Sequence, residues 1–152
     1  MGTRRQRPNI PAGLTSVVGI AAGYHGLALK ADSSVIGWGT FYLPLVVTNA
    51  VAISAGLSHS LALKANGTVI CWGDNSLGQT NVPSSATNVV AIAAGGNTSL
   101  ALRADGSVIG WGNNNYGQTN IPASAINVVA IAVGAYALLG NKGQRDGRRV
   151  GK

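Results

Sequence analysis

The chain has 152 residues, enough for one domain, and 46% of them are hydrophobic, with only 5% aromatic. Charged residues make up 10% of the chain, there is no glutamate, and only four residues are acidic. This composition excludes most acid–base and metal chemistry, because few side chains could carry it out.

The net charge of +7 comes from the two ends of the chain. Residues 1–8 and 140–152 hold eight basic residues and a single acid, whereas the basic residues and aspartates between residues 9 and 139 balance each other. A strongly basic protein ordinarily suggests nucleic acid or another polyanion as its partner. One hypothesis for function is therefore polyanion binding by the basic ends.

A segment of the form VVAIAAG occurs four times and divides residues 9–139 into repeats. The copies begin at Val17, Ala50, Val89 and Val128. The second and third repeats align without a gap, and each continues through a hairpin segment, a Trp-Gly pair and GQTN. Repeats of this length indicate one supersecondary unit per repeat.

Each repeat is predicted to consist of short β-strands. The VVAIAAG segment is uncharged and ends in small residues, which is typical of a strand that is buried on both faces and closely approached by other backbone. The next two segments of the second and third repeats have the period of two of strands. They flank Asn66-Gly67 and Asp105-Gly106, which strongly favour a hairpin.

The first repeat is irregular. It has Asp32-Ser33 where a hairpin glycine is expected, and the segment TFYLPLVVTN after Trp38-Gly39 is shorter than its counterparts and lacks GQTN. A period near 39 residues with three or four strands per repeat is typical of β-propeller blades rather than helical solenoids.

The order VVAIAAG, HSLALKANGTV, WG and GQTNVP resembles the short bacterial version of the RCC1 (regulator of chromosome condensation) repeat. The resemblance covers roughly residues 9–139. It implies an all-β fold, a partial β-propeller of about three blades from a ring that normally has seven. It implies no single function, since this fold serves as a nucleotide exchange factor in eukaryotic nuclei and as an inhibitor or interaction module in secreted bacterial proteins. The exchange factor uses an inserted wedge, and this sequence has no such insertion.

The two ends lead to a hypothesis about the gene. After the last VVAIAVG, another segment like HSLALKANGTVICWG is expected, but the chain ends in AYALLGNKGQRDGRRVGK. One permitted encoding of residues 137–152, read one base later, gives HSLAIKANGTVVGWG. Residues 1–9, when their encoding is shifted by one base, give a weaker match to the repeat. We therefore expect a frame slip on each side of a window in a longer repeat gene, with residues 1–8 and 140–152 as its products.

Few side chains are candidates for chemistry. His25 and His59 occupy equivalent places, but the third repeat has Thr98 there, and no ligand cluster accompanies them. A structural role in the turn before the strand is therefore favoured for both histidines. Cys71 is interpreted as a small buried apolar residue, and the tryptophans as packing elements. No catalytic, cofactor-binding or metal-binding residue is predicted, and an enzyme is not expected.

The segments that vary between repeats are the candidate binding loops, because recognition loops commonly vary on a constant scaffold. They are residues 40–45, 74–77 and 113–116. The asparagines of the last loop would suit polar recognition. The candidate site residues are Asp74, Asn75, Ser76, Leu77, Asn113, Asn114, Asn115 and Tyr116.

The sequence thus predicts a non-catalytic repeat scaffold, a protein-interaction module that is a fragment of a larger bacterial protein. The alternatives are a polyanion binder that uses the basic ends and, by family analogy alone, a nucleotide exchange factor. The protein partner is not identified, no cofactor or membrane contact is expected, and unclosed propeller edges would favour self-association. No signal peptide is predicted from residues 1–8, and the resemblance admits a secreted or cell-surface parent without specifying the compartment.

Overall fold

The computed structural model describes residues 9–39 and 46–134. The predicted N-terminal segment 1–8, the candidate loop 40–45, the last part of the repeat region (135–139) and the basic tail 140–152 lie outside the described residues. Within the described part of the chain, no helix has the length and apolar character needed to cross a membrane.

The described residues form three antiparallel sheets of three strands, and the strands of each sheet follow chain order. The first sheet contains β1 (Val17–Ala22), β2 (His25–Lys30) and β3 (Val35–Gly39). The second contains β4 (Ala50–Ala55), β5 (His59–Lys64) and β6 (Val69–Gly73), and the third contains β7 (Val89–Gly95), β8 (Thr98–Arg103) and β9 (Val108–Gly112). The all-β prediction is confirmed, with one sheet for each of the first three repeats; the described residues of the fourth, 128–134, form no strand.

The hairpins between the second and third strands form as the sequence predicts. Gly67 and Gly106 have φ values of 80° and 81°, the left-handed conformation that glycine adopts without strain. Ser33 takes the same conformation at φ 65° without being glycine. The carboxylates of Asp32 and Asp105 accept hydrogen bonds of 3.0 Å from backbone N–H groups two residues further on, as aspartates in turns commonly do.

The first strand of each sheet differs from its prediction of burial on both faces. Val51 in β4 and Val90 in β7 are 53% and 56% exposed. Each lies at a register irregularity, where a β-bulge leaves one residue out of the strand pairing and turns its side chain outward. The predicted close backbone approach is confirmed, because a Cβ atom on Gly23 would lie only 1.8 Å from the carbonyl oxygen of Gly56.

The core lies between consecutive sheets. Leu27 and Leu29 of the first sheet pack with Trp72 of the second, and Leu61 and Leu63 of the second pack with Trp111 of the third. Trp72 and Trp111 are 4% and 6% exposed, as expected of packing elements. We call these two contacts the first joint (first to second sheet) and the second joint (second to third sheet).

Cys71, in β6, is half-buried rather than fully buried. Its side chain packs against the core of the second joint. Burial raises the pKa of the Cys71 thiol to about 12, so the thiol stays protonated at neutral pH.

Candidate functional site

The two described candidate loops follow equivalent strands, β6 and β9, in neighbouring sheets. The backbone N–H of Asp74 donates to the carbonyl of Ser58 at 2.8 Å, and that of Asn113 donates to Asn97 at 2.9 Å. Each loop therefore lies beside the turn between the first and second strands of its own sheet. A 2.9 Å bond from the N–H of Leu57 to the carbonyl of Gly96 links the two turns, so both loops share one edge of the molecule.

Each loop is held by an asparagine that bonds across it. The side-chain oxygen of Asn75 accepts the backbone N–H of Thr80 at 3.0 Å, and its side-chain amide N–H donates to the side-chain oxygen of Asn81 at 2.9 Å. In the second loop, Asn114 makes the same two bonds at 2.9 and 3.0 Å. The two loops thus share one pattern of hydrogen bonds, which we call the frame, although their sequences differ.

The first residue of each loop is also used in the frame. The Asp74 carboxylate accepts bonds from the hydroxyl of Ser76 at 2.8 Å, the Ser76 N–H at 3.1 Å and the amide of Gln79 at 2.9 Å. The bonds from Ser76 hold the pKa of Asp74 below its usual range, so the carboxylate stays charged. The side-chain oxygen of Asn113 accepts the N–H of Asn115 at 2.9 Å in the same way.

The eight predicted site residues therefore fall into two groups. Four belong to the frames, and four form exposed tips that we call the loop tips. The sequence predicts all three asparagines of the second loop for recognition, but the side chains of Asn113 and Asn114 bond within the loop. Leu77 and Tyr116 occupy equivalent tip positions and are 42% and 59% exposed. The loop tips are Ser76, Leu77, Asn115 and Tyr116.

Sequence reasoning missed Gln79, which is completely buried. Its side-chain oxygen accepts the N–H of Leu77 at 2.8 Å. Its backbone carbonyl accepts two bonds from the third sheet, from the indole N–H of Trp111 at 2.9 Å and from the hydroxyl of Ser99 at 3.1 Å. Gln79 therefore ties the first loop to the neighbouring sheet. The signal in the sequence was the recurrence of GQTN in the second and third repeats.

The two histidines act between sheets rather than in a turn. His25 is the first residue of β2 and bonds to Ser60 of the second sheet, and His59 is the first residue of β5 and lies 2.9 Å from the hydroxyl of Ser99 in the third. All four side chains are buried in the two joints. Among the described residues, no three side chains of the metal-binding types His, Cys, Asp and Glu come together.

A cavity of about 240 Å³ opens between the three turns of this edge. Glycine, alanine and two aliphatic residues, Leu57 and Val133, line it. Because these side chains carry no hydrogen-bonding groups, the cavity offers only backbone polar atoms to a ligand.

The sequence was compared with protein families and with curated proteins. The family described as "Regulator of chromosome condensation (RCC1) repeat" matches residues 50–79 and 89–118. No curated protein matches the chain.

Solved structures match the fold. The ectodomain of the Physcomitrella patens receptor kinase CR4 matches with a TM-score of 0.68 and 25% identity, over 79% of this chain and 36% of that one. Human WBSCR16 matches with a TM-score of 0.60 and 25% identity, over 74% and 38% of the two chains. Yeast RCC1 (Prp20), crystallised with Kap60, matches with a TM-score of 0.61 and 21% identity, over 84% and 42%. The chain thus spans about two fifths of the length of these structures.

Proposed function

Because the chain belongs to the RCC1 repeat family and forms part of an RCC1-type β-propeller, we propose that it is a non-catalytic scaffold that binds a protein through its loop tips. The supporting observation is that two neighbouring sheets carry loops with one hydrogen-bonded frame and different exposed tips. A constant frame with variable tips is the arrangement of recognition loops on a rigid scaffold.

The chemistry of the tips favours a protein partner. Leu77 offers an exposed apolar side chain, and Tyr116 combines an aromatic ring with a hydroxyl group, as anchors of protein interfaces commonly do. Ser76 and Asn115 add small polar groups beside these anchors. The cavity at this edge is less suited to binding a small polar ligand, because no polar side chain lines it.

A non-catalytic role is supported by how the titratable side chains are used. The two histidines bond to serines across the joints. Asp32 and Asp105 bond within their hairpins, and Asp74 bonds within its loop. These side chains already have structural partners, which disfavours them as general acids or bases.

The binding partners of structural relatives do not identify the partner of this chain. A yeast RCC1 structure, Prp20p, is described together with its binding to Gsp1p and histones, and that protein is 22% identical to this chain. A likeness at this level carries the fold alone.

Photo-crosslinking tests the proposed surface. A photoreactive phenylalanine analogue is placed at position 116, at position 77 or, as a control, at position 65 in the exposed hairpin at the opposite edge. Irradiation in extracts of the source cells should attach the same protein to positions 116 and 77 and not to position 65. Equal capture at all three positions would contradict the proposal.

The same experiment distinguishes binding by the loop tips from polyanion binding by the basic ends. Our proposal expects capture at position 116 to persist after residues 1–8 and 140–152 are deleted and to change little with salt. Loss of capture on deletion, with steep salt dependence, would favour binding by the basic ends.

A further inference from the structure

Neighbouring groups determine which side chain donates in the hydrogen bond between His59 and Ser99. The hydroxyl of Ser99 lies 2.9 Å from Nε2 of His59 and 3.1 Å from the carbonyl oxygen of Gln79. A carbonyl oxygen can only accept, so the hydroxyl proton points to Gln79. The Ser99 oxygen must then accept a hydrogen bond from Nε2–H of His59. His59 therefore has a proton on Nε2, and in its neutral form the lone pair is on Nδ1.

The Nδ1 atom of His59 is buried and has no hydrogen-bond partner among the described residues. The ring sits tightly against Gly56, since a Cβ atom on Gly56 would lie 2.4 Å from Nδ1 and 2.2 Å from Cε1. A proton added at Nδ1 would place a charge and an unsatisfied donor on a buried nitrogen.

Two titratable groups act on His59 from the elements around it. His25 of the first sheet opposes a positive charge on His59, and Asp74, in the loop after β6, favours it. The Asp74 carboxylate is already bonded to Ser76 and Gln79. Burial outweighs Asp74 and, with His25, lowers the pKa of His59 to about 4. Burial also lowers the pKa of His25.

We propose that the second joint is an acid-sensitive contact, which opens when His59 is protonated and a buried charge replaces the neutral donor to Ser99. Opening would release the Gln79 carbonyl as well, because Ser99 and Trp111 both bond to it. The first loop would then lose its attachment to the third sheet. The proposal concerns the joint and does not depend on what the loop tips bind.

The pH range in which the joint loses stability follows from the pKa of His59 in the open and closed forms. A solvated histidine has an ordinary pKa of 6.5, whereas the folded joint holds His59 near 4. The open form therefore takes up a proton more readily than the closed form. The stability that neutral His59 provides is complete above about pH 6.5 and is lost as the pH falls toward about 4.

The test compares the wild-type chain with His59→Thr, which places at position 59 the residue that the third repeat has at the equivalent position 98. Urea unfolding is measured from pH 7 to pH 4. The unfolding constant of the wild type should rise about a hundredfold more than that of His59→Thr. Effects of Asp32 and Asp105, which do not act on His59, are common to both chains and cancel. Equal pH dependence in the two chains would overturn the proposal.

A measurement on the wild type keeps the proposal testable if His59→Thr does not fold. Nitrogen-15 NMR of the histidine rings should show the Nε2–H tautomer for His59 at pH 7 and a titration midpoint near 4. The indole N–H resonance of Trp111 should move in the same titration. The proposed joint would be contradicted by a titration midpoint near 6.5 or by an Nδ1–H tautomer of His59. It would also be contradicted if the Trp111 resonance did not move during the titration.

Discussion

The two joints between sheets use the same apolar contacts but differ in polar bonds. Both have a pair of leucines against a tryptophan, and both have a buried histidine–serine bond. Only the second joint has the Gln79 carbonyl, which accepts the indole N–H of Trp111 at 2.9 Å. In the first joint the indole N–H of Trp72 is buried without a partner among the described residues.

The first repeat also differs in sequence. Its segment after Trp38-Gly39 is shorter and lacks GQTN, and residues 40–45 of that segment lie outside the described residues. Ala21 also replaces Ser54, whose hydroxyl accepts the N–H of Ala94 at 2.9 Å in the second joint. The sheets nevertheless pair their second and third strands in the same register. Both joints thus share their apolar packing, and the second joint has the additional polar bonds of Gln79 and Ser54.

The largest expected effect tests the shared core. Leu27 and Leu61 are 1% and 0% exposed at equivalent positions of the two joints. Truncation to alanine should lower the free energy of unfolding by about 2–5 kcal/mol at either position, because each leaves a cavity between sheets. Urea denaturation of Leu27→Ala and Leu61→Ala measures this. A marked loss at only one position would mean that the two cores are not equivalent.

A smaller effect should separate the joints. Trp111→Phe removes a paired indole N–H and leaves the Gln79 carbonyl with one bond fewer, whereas Trp72→Phe removes a buried donor without a described partner. Both variants lose the same ring volume. Trp111→Phe should therefore be the more destabilising by about 1–3 kcal/mol in thermal or urea unfolding. Equal losses would show that Trp72 has an equivalent partner.

The smallest effect concerns the hairpins. Ser33 holds a left-handed backbone conformation that Gly67 holds in the second repeat. Gly67→Ser should destabilise the chain by about 1 kcal/mol, because a side chain strains this conformation and would contact the backbone of Asn88. Ser33→Gly should stabilise by less than about 1 kcal/mol, since relief of strain is partly offset by a more flexible unfolded chain. Calorimetry of both variants checks the opposite signs.

Local features of the fold could be predicted from the sequence. The Asn-Gly and Asp-Gly pairs, the alternation of apolar residues on both sides and the repeat length were sufficient for the hairpins and the all-β architecture. The small residues at the ends of the first strands correctly indicated close backbone approach, as at Gly23 and Gly56.

Contacts between repeats could not be predicted, because sequence patterns within one repeat do not show which atoms meet across a joint. Gln79 looks like an ordinary loop residue, yet its backbone carbonyl accepts two bonds from the next sheet. The bulges that expose Val51 and Val90 depend on strand register, which apolar alternation alone did not specify. The candidate binding loops stay a prediction from their variation between repeats, and their division into frame and tip residues required coordinates.

The affinity for the protein captured at position 116 tests the central proposal most directly. Titration calorimetry would compare the wild type, the double variant Leu77→Ala/Tyr116→Ala, and Ala65→Ser at the opposite edge. The account predicts that affinity falls about tenfold or more in the double variant and is unchanged in Ala65→Ser, because exposed anchors carry much of the binding energy. Unchanged affinity in the double variant would contradict a protein-binding role for the loop tips.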